Sequence, residues 1–135
     1  MEPTFLLMPL SPQAARMKNP LALAFWGDTV WDLLVRGTLL KSQAPAGTLH
    51  RRALGLVNAA AQAEAMNRLE GFLTPEEADI ARRGRNAHAH HGPPQLQDPV
   101  DYSRATGLEA LLGYLYLTGQ TDRIRELFDI AVCIK

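Results

Sequence analysis

The sequence has little that would support covalent cross-linking, membrane insertion or a strongly charged surface. Its single cysteine, Cys133, excludes a disulfide within the chain and is typical of a reducing compartment. The 14 basic and 14 acidic side chains among 135 residues leave no net charge, which excludes a uniformly basic coat for nucleic acid. Every stretch without Asp, Glu, Lys or Arg, including Ala110 to Thr121, is shorter than the ~20 apolar residues that span a bilayer. No Lys or Arg precedes Arg16, unlike a secretory signal, so we expect a cytoplasmic protein with one domain, residues 1–135.

Motifs for covalent catalysis and for zinc binding are also missing. The sequence has no glycine-rich phosphate loop after a strand, no Gly-x-Ser-x-Gly turn and no Cys/His pairing. The histidines at 88, 90 and 91 have a spacing that matches no standard tetrahedral zinc site, and no cysteine supports them. These absences leave metal-assisted or non-catalytic functions to be considered.

Helix start and stop signals recur along the whole chain, and no window alternates apolar and polar residues as a strand would. We therefore predict an all-α fold, with residues 1–10 as a loose N-terminal segment and residues 86–99 as a long loop. We predict six helices. The first begins at Ser11-Pro12 and the last follows a capping Thr121. The four between them are Leu21 to Leu40, Thr48 to about Glu70, Thr74 to about Gly84, and about Asp101 to Thr118. The helix at Leu21 to Leu40 is apolar nearly all round, so we expect it to pass through the centre of the core.

Two of these apolar helices each carry a lone carboxylate, Asp28 and Glu109. Burial of an ionised carboxylate is costly unless something pairs with it. The partner could be a metal ion such as Mg²⁺, which accepts one or two carboxylates and activates water for phosphodiester hydrolysis. Alternatively, the acids could pair with arginines, cap helices or reach solvent. Asp32 has a simpler explanation, because Arg36 lies one helical turn further on.

Two local basic clusters stand out against the neutral total. The first is His50-Arg51-Arg52, and the second is Arg82-Arg83-Gly84-Arg85-Asn86, which His88 follows. Phosphates are plausible partners for both clusters, although ordinary solvated charge explains them equally well.

Two segments carry a resemblance to a known family. The segments Leu21 to Val30, LALAFWGDTV, and Leu108 to Gly119, LEALLGYLYLTG, resemble the ribonuclease III catalytic core. More closely, they are similar to the Mini form of that family, which lacks a double-stranded-RNA-binding domain. The intervening segments at 49–53, 72–77 and 82–87 follow in the family's order, so the resemblance covers about residues 18 to 132.

The resemblance implies an all-helical, homodimeric endoribonuclease that uses Mg²⁺ to cut both strands of double-stranded RNA. It implies that Asp28 and Glu109 are the catalytic, metal-binding residues. The Mini form trims the ends of the 23S ribosomal RNA precursor in bacteria, and a ribosomal protein that presents this precursor is a conceivable further partner. The expected RNA contacts are His50, Arg51, Arg52, Arg82, Arg83, Arg85, Asn86 and His88.

This sequence has fewer acidic residues around the expected metal site than the ribonuclease III enzymes that also carry an RNA-binding domain, which we call the fuller family. Ala24 stands where the fuller family has a glutamate, and Thr106 stands where it has an aspartate. The Mini form shares this reduction, so activity is still expected, with Asp32 and Asp101 as conceivable supplements. One alternative is an RNA-binding or ribosome-associated protein with the same fold and little or no turnover. Another is a helical protein-interaction module that binds no RNA.

Overall fold

A computed structural model describes residues 9–87 and 98–132 of the chain. Within these ranges the regular elements are all helices, which confirms the predicted all-α class. They are α1 (Pro12–Arg16), α2 (Pro20–Leu39), α3 (Ala46–Val57), α4 (Ala59–Leu69), α5 (Pro75–Asn86), α6 (Pro99–Leu117) and α7 (Thr121–Val132). None of the helices in these ranges is both long enough and apolar enough to cross a membrane.

Side-chain caps start several helices where the sequence signals predicted them. The Ser11 side chain accepts a hydrogen bond from the backbone N–H of Ala14 and starts α1. At α5, Thr74 and Glu77 form a reciprocal capping box, with Pro75 in the first turn. The start of α2 is set by Asn19, whose side chain accepts from the backbone N–H of Leu21.

The expectation that α2 passes through the centre of the core is wrong for one of its faces. One face is buried through residues such as Leu23, Trp31 and Val35. The other face exposes large apolar side chains, with Phe25 80% exposed and Leu33 64% exposed. An apolar composition all round a helix therefore does not distinguish a core helix from one that has an uncovered apolar side.

The long helix predicted from Thr48 to Glu70 is two helices, α3 and α4. The break lies at Asn58, whose backbone is extended and whose side chain accepts from the N–H of Ala61. The same side chain donates through Nδ2 to the carbonyl of Leu54. Asn58 thus ends one helix and caps the next, because its short amide satisfies backbone groups that a continuous helix would otherwise pair.

Helix α6 is the central element, and it packs mainly against α2, α5 and α4. It begins two residues earlier than predicted, because Asp98 caps the backbone N–H groups of Val100 and Asp101 and Pro99 occupies the first turn. Its buried surface includes Leu108, Leu111, Leu112 and Leu115.

The first and last described segments of the chain pack near this helix. The backbone N–H of Leu10, at the end of the segment expected to be loose, donates to the carbonyl of Leu117 at 2.6 Å. Helix α7 packs on α4 and α6. Thr121 is the first residue of α7, although the sequence signal predicted it as the cap. Cys133 lies outside the described residues.

Candidate active site

The candidate site lies where α2 crosses α6 with their backbones in contact. Gly27 and Gly113 face the opposite helix, and a Cβ on Gly27 would overlap the carbonyl oxygen of Glu109. A Cβ on Gly113 would overlap the carbonyl oxygen of Leu23. Glycine is required at such a close approach because it alone has no Cβ. The crossing brings Asp28, the neighbour of Gly27, beside Glu109.

Asp28 and Glu109 form an acid pair across this crossing. Asp28 is exposed and Glu109 is half-buried, so the burial argument made from the sequence applies to Glu109 alone. Burial, the hydrogen bond with Asp28 and the negative charge of Asp28 together raise the pKa of Glu109 to about 9, and Gln62 partly offsets these effects. Two carboxyl groups this close do not readily ionise together, so the pair holds a proton unless a cation replaces it.

The donor set of the acid pair fits a hard divalent cation. Carboxylate oxygens are the ligands that Mg²⁺ prefers, and Mg²⁺ typically keeps several waters besides one or two carboxylates. In the parts of the chain that are described, no cluster of three or more His, Cys, Asp or Glu side chains could hold a metal ion. Asp32 is engaged with Arg36 at 3.1 Å, as its spacing predicted, and Asp101 lies in the first turn of α6, two turns before Glu109.

At the two positions where this sequence differs from the fuller family, the side chains are buried in the core. Ala24 and Thr106 are buried on α2 and α6, respectively. The Thr106 hydroxyl donates to the carbonyl of Tyr102 at 2.9 Å. Neither position can therefore supply a carboxylate to the acid pair.

Sequence reasoning missed one polar residue at the site, Gln62 on α4. Its side chain is 4% exposed, and its carboxamide lies next to the Glu109 carboxyl. The signal that could have indicated it is a lone glutamine in an alanine-rich helix, at a position that faces the core.

The basic residues of α5 differ in how freely they face solvent. Arg82 is exposed and pairs with Asp79 at 2.5 Å, while Arg83 donates to the carbonyl of Lys18 at 3.4 Å. Arg85 is half-buried, because its Cγ packs over Gly107 of α6. Asn86, the last residue of α5, is exposed, and His88 lies outside the described residues.

The other basic cluster lies on α3, where His50, Arg51 and Arg52 are exposed. Arg51 donates to the Thr48 hydroxyl at 3.2 Å. Helix α3 packs mainly on α2 and α4, whereas α5 packs mainly on α6. The two clusters therefore belong to different helix pairs and form no single basic patch by direct packing.

Comparisons with known proteins agree with this architecture. The family model described as "Ribonuclease III domain" matches residues 21–120. The Mini-ribonuclease 3 of Symbiobacterium thermophilum is 46% identical over 113 residues, which are 83% of this chain and 86% of that protein. The Mini-ribonuclease 3 of Thermoanaerobacter sp. is 39% identical over 124 residues, which are 91% of this chain and 87% of that protein.

A solved structure shares the fold. The crystal structure of a protein from Fusobacterium nucleatum matches with a TM-score of 0.77 at 29% identity, over 87% of this chain and 93% of that chain. The family model covers most of the chain, and the curated relatives exceed 30% identity over most of their own length. The chain therefore belongs to the ribonuclease III family of endoribonucleases, in its Mini-ribonuclease 3 group.

Proposed function

We propose that this endoribonuclease requires Mg²⁺ to cleave double-stranded RNA and that Asp28 and Glu109 are the catalytic ligands of the ion. The observation that carries the proposal is the acid pair at the α2–α6 crossing, where burial and then the contact with Asp28 raise the pKa of Glu109 to about 9. A carboxyl pair that holds a proton in the free protein becomes a dianionic ligand set when a cation binds.

The residues of the chain have separable tasks in this proposal. A bound divalent ion would activate water and stabilise the charge that develops on the phosphate. The glycine contact between α2 and α6 fixes the backbones that carry the two carboxylates. Glu109 would hold the ion as a carboxylate, with its carboxyl proton released to solvent. The exposure of Asp28 leaves that side of the pair accessible to a phosphodiester.

Basic side chains would seat the duplex through its phosphates. Duplex RNA is recognised mainly through its shape, its phosphates and its 2′-hydroxyls, so these contacts need not read sequence. Arg52 and Arg82 are both exposed, and Arg82 would exchange its ion pair with Asp79 for a phosphate. The other proposed contacts are His50, Arg51, Arg83, Arg85, Asn86 and His88.

A second copy of the chain completes the proposed enzyme. Phe25, Leu33 and Leu40 lie on the same side of α2 and are exposed. Leu33 and Leu40 also line an apolar cavity of about 440 Å³ between α2 and α3. Exposed apolar surface of this kind marks interaction sites. A symmetric dimer formed on this face would cover it and would place two acid pairs on one duplex, one for each strand.

The proposed substrate is the stem of the 23S ribosomal RNA precursor, cut at its 5′ and 3′ ends in the cytoplasm, with a ribosomal protein as a presenting partner. The name shared by the curated relatives supports the reaction class. The choice of this substrate follows from the resemblance of the sequence to the Mini form. The proposed domain is the whole chain, residues 1–135.

Cleavage of a labelled precursor stem by wild type, Asp28→Asn and Asp32→Asn tests the proposal. Asp32 is the matched control, since it lies one helical turn away and pairs with Arg36. We expect wild type and Asp32→Asn to cut with Mg²⁺ and not with chelator, and Asp28→Asn to bind RNA without cutting. A generic duplex tested in parallel separates substrate choice from chemistry.

The rival function is RNA binding with little or no turnover, and the buried Ala24 and Thr106 favour it, because they leave only two carboxylates at the crossing. If wild type and Asp28→Asn bind equally and neither cuts any duplex with Mg²⁺ or Mn²⁺, the rival is correct.

A further inference from the structure

Gln62 is a buried amide in a setting that does not explain it. It lies in α4 between Ala61 and Ala63, and its side chain is only 4% exposed. Its Nε2 is buried and makes no hydrogen bond of normal geometry to any residue that the structure describes. Buried polar groups are nearly always paired, because an unpaired donor loses its bonds to water and gains nothing in return. This donor therefore calls for an acceptor close to it in the core.

The acceptor next to Gln62 is Glu109. Helix α4 packs along α6, and the carboxamide of Gln62 approaches the Glu109 carboxyl while Asp28 approaches it from α2. Glu109 thus lies between a second acid and an amide donor. The buried Nε2 of Gln62 is an N–H donor, and a carboxylate oxygen is an acceptor, so the amide is suited to pair with Glu109 as a carboxylate.

We infer that Gln62 is a positioning residue for Glu109: its Nε2 donates to the ionised carboxylate and keeps that carboxylate directed toward Asp28. This inference rests on the proposed role of the acid pair in holding a divalent cation. An amide is suited to the task, because it orients a carboxylate without adding another negative charge beside Asp28. Partners of this kind orient metal ligands in many sites, and their loss typically weakens metal binding about 10- to 100-fold.

Two variants separate positioning from packing. Gln62→Met keeps the length of the side chain and removes the donor, while Gln62→Asn keeps the amide and withdraws it by one methylene. Gln120→Met is the control, since Gln120 is exposed beyond the end of α6 and donates to the Thr118 hydroxyl at 2.8 Å. Mn²⁺ is titrated calorimetrically into each RNA-free protein, and unfolding temperatures are measured in chelator.

We expect both Gln62 variants to bind Mn²⁺ about 10- to 100-fold more weakly than wild type and Gln120→Met. Gln62→Met should unfold in chelator at the wild-type temperature or above, because the metal-free protein loses no complete hydrogen bond. A structural glutamine would give the reverse result, with a lower unfolding temperature and unchanged Mn²⁺ affinity.

An Mn²⁺ titration of Asp28→Asn distinguishes failure of the role of Gln62 from failure of metal binding by the acid pair. If Asp28→Asn loses Mn²⁺ binding while both Gln62 variants bind like wild type, the role of Gln62 is overturned and the metal-binding pair stands. If wild type and Asp28→Asn bind Mn²⁺ equally, or neither binds it, the metal-binding pair is overturned and the role of Gln62 with it.

Discussion

Gly27 of α2 lies directly against the backbone carbonyl of Glu109 in α6, with no space for a side chain between them. Asp28 follows Gly27 in sequence, so the contact that joins the two helices also places the two carboxyl groups side by side. Packing and the candidate active site therefore depend on the same backbone approach.

Gly27→Ala should destabilise the protein strongly, because its Cβ would overlap the Glu109 carbonyl and force the helices apart. Overpacking of a tight interface costs about 1–3 kcal/mol, occasionally more, and we expect the upper end of this range in the free energy of unfolding. Gly37→Ala is the control on the same helix, where a Cβ meets nothing within 4 Å. It should stabilise α2 by roughly 0.5–1 kcal/mol. Equal urea midpoints for the two variants would contradict the backbone contact.

Glu109→Gln should stabilise the metal-free protein at alkaline pH. The pKa of Glu109 in the folded protein is about 9, against an ordinary value of 4.5. Its contribution to stability is therefore full below pH 4.5 and decreases as the pH rises toward 9, since the unfolded chain ionises first. In chelator at pH 8 the variant should unfold at least ~4 °C higher than wild type, the shift that about 1 kcal/mol produces in a domain of this size. At pH 4.5 the difference should disappear.

Arg123→Met should weaken the junction between α5 and α7. Arg123 donates to both carboxylate oxygens of the buried Glu77, at 2.8 and 2.9 Å, and to the carbonyl of Phe72. Burial opposes ionisation of Glu77, but its hydrogen bonds with Arg123 and with Thr74 outweigh burial and lower its pKa. We expect a loss of roughly 2–3 kcal/mol in the free energy of unfolding at pH 7.

The same ion pair predicts how stability responds to acid. Because the pKa of Glu77 is lowered on folding, its contribution is present above pH 4.5 and is lost as the pH falls through the lowered pKa. Removal of Arg123 should shift this loss to higher pH in an acid titration followed by circular dichroism. Arg125→Met, on the exposed side of α7, should leave both the stability and the acid profile near wild type.

Leu33→Glu should convert the proposed dimer into a monomer. Leu33 is 64% exposed on the apolar face of α2, and a carboxylate at this position would have to lose its water for a second copy to pack against it. Val100→Glu places the same charge on another exposed apolar residue, in the first turn of α6, and should leave the dimer intact. Sedimentation velocity of both variants decides the matter. A dimer of unchanged affinity in Leu33→Glu would exclude this face.

Arg82→Ala combined with Arg83→Ala should weaken RNA binding uniformly across duplex sequences. Each lost phosphate contact should reduce the slope of log affinity against log salt by about 1. Arg125→Ala removes an exposed arginine from α7 and serves as the control. Filter binding in chelator at several salt concentrations gives the slope for the double variant and for the control. An unchanged slope in the double variant would show that α5 is not part of the RNA interface.

Helix starts were predictable from the sequence where side-chain chemistry is local. Ser11 and Thr74 cap helices because their hydroxyls reach backbone N–H groups within three residues, and this requires no knowledge of the rest of the fold. The break at Asn58 was missed, because the apolar spacing of α3 and α4 continues across it and hides the cap. The exposed face of α2 was missed because composition does not reveal which side of a helix lacks a partner.

The two acids of the candidate site could be predicted from the sequence, but the residues that surround them could not. Asp28 and Glu109 stood out as acids on apolar helices, whereas the backbone contact at Gly27 that brings them together depends on how α2 and α6 pack. Gln62 comes from a third helix, α4, and only the packing of α4 on α6 brings it to Glu109. Membership of the ribonuclease III family also sets aside the helical interaction module that sequence patterns alone left open.

The glycine crossing has a consequence for heat inactivation. Because the backbones of α2 and α6 are in contact, one helix cannot shift along the other without a clash. The distance between Asp28 and Glu109 should therefore not change gradually as the temperature rises. The acid pair should keep its geometry until the whole core opens, and cleavage should then be lost in the same cooperative transition as helicity. Thermal tolerance of the enzyme is thus set by the core as a whole, with no weaker step at the site.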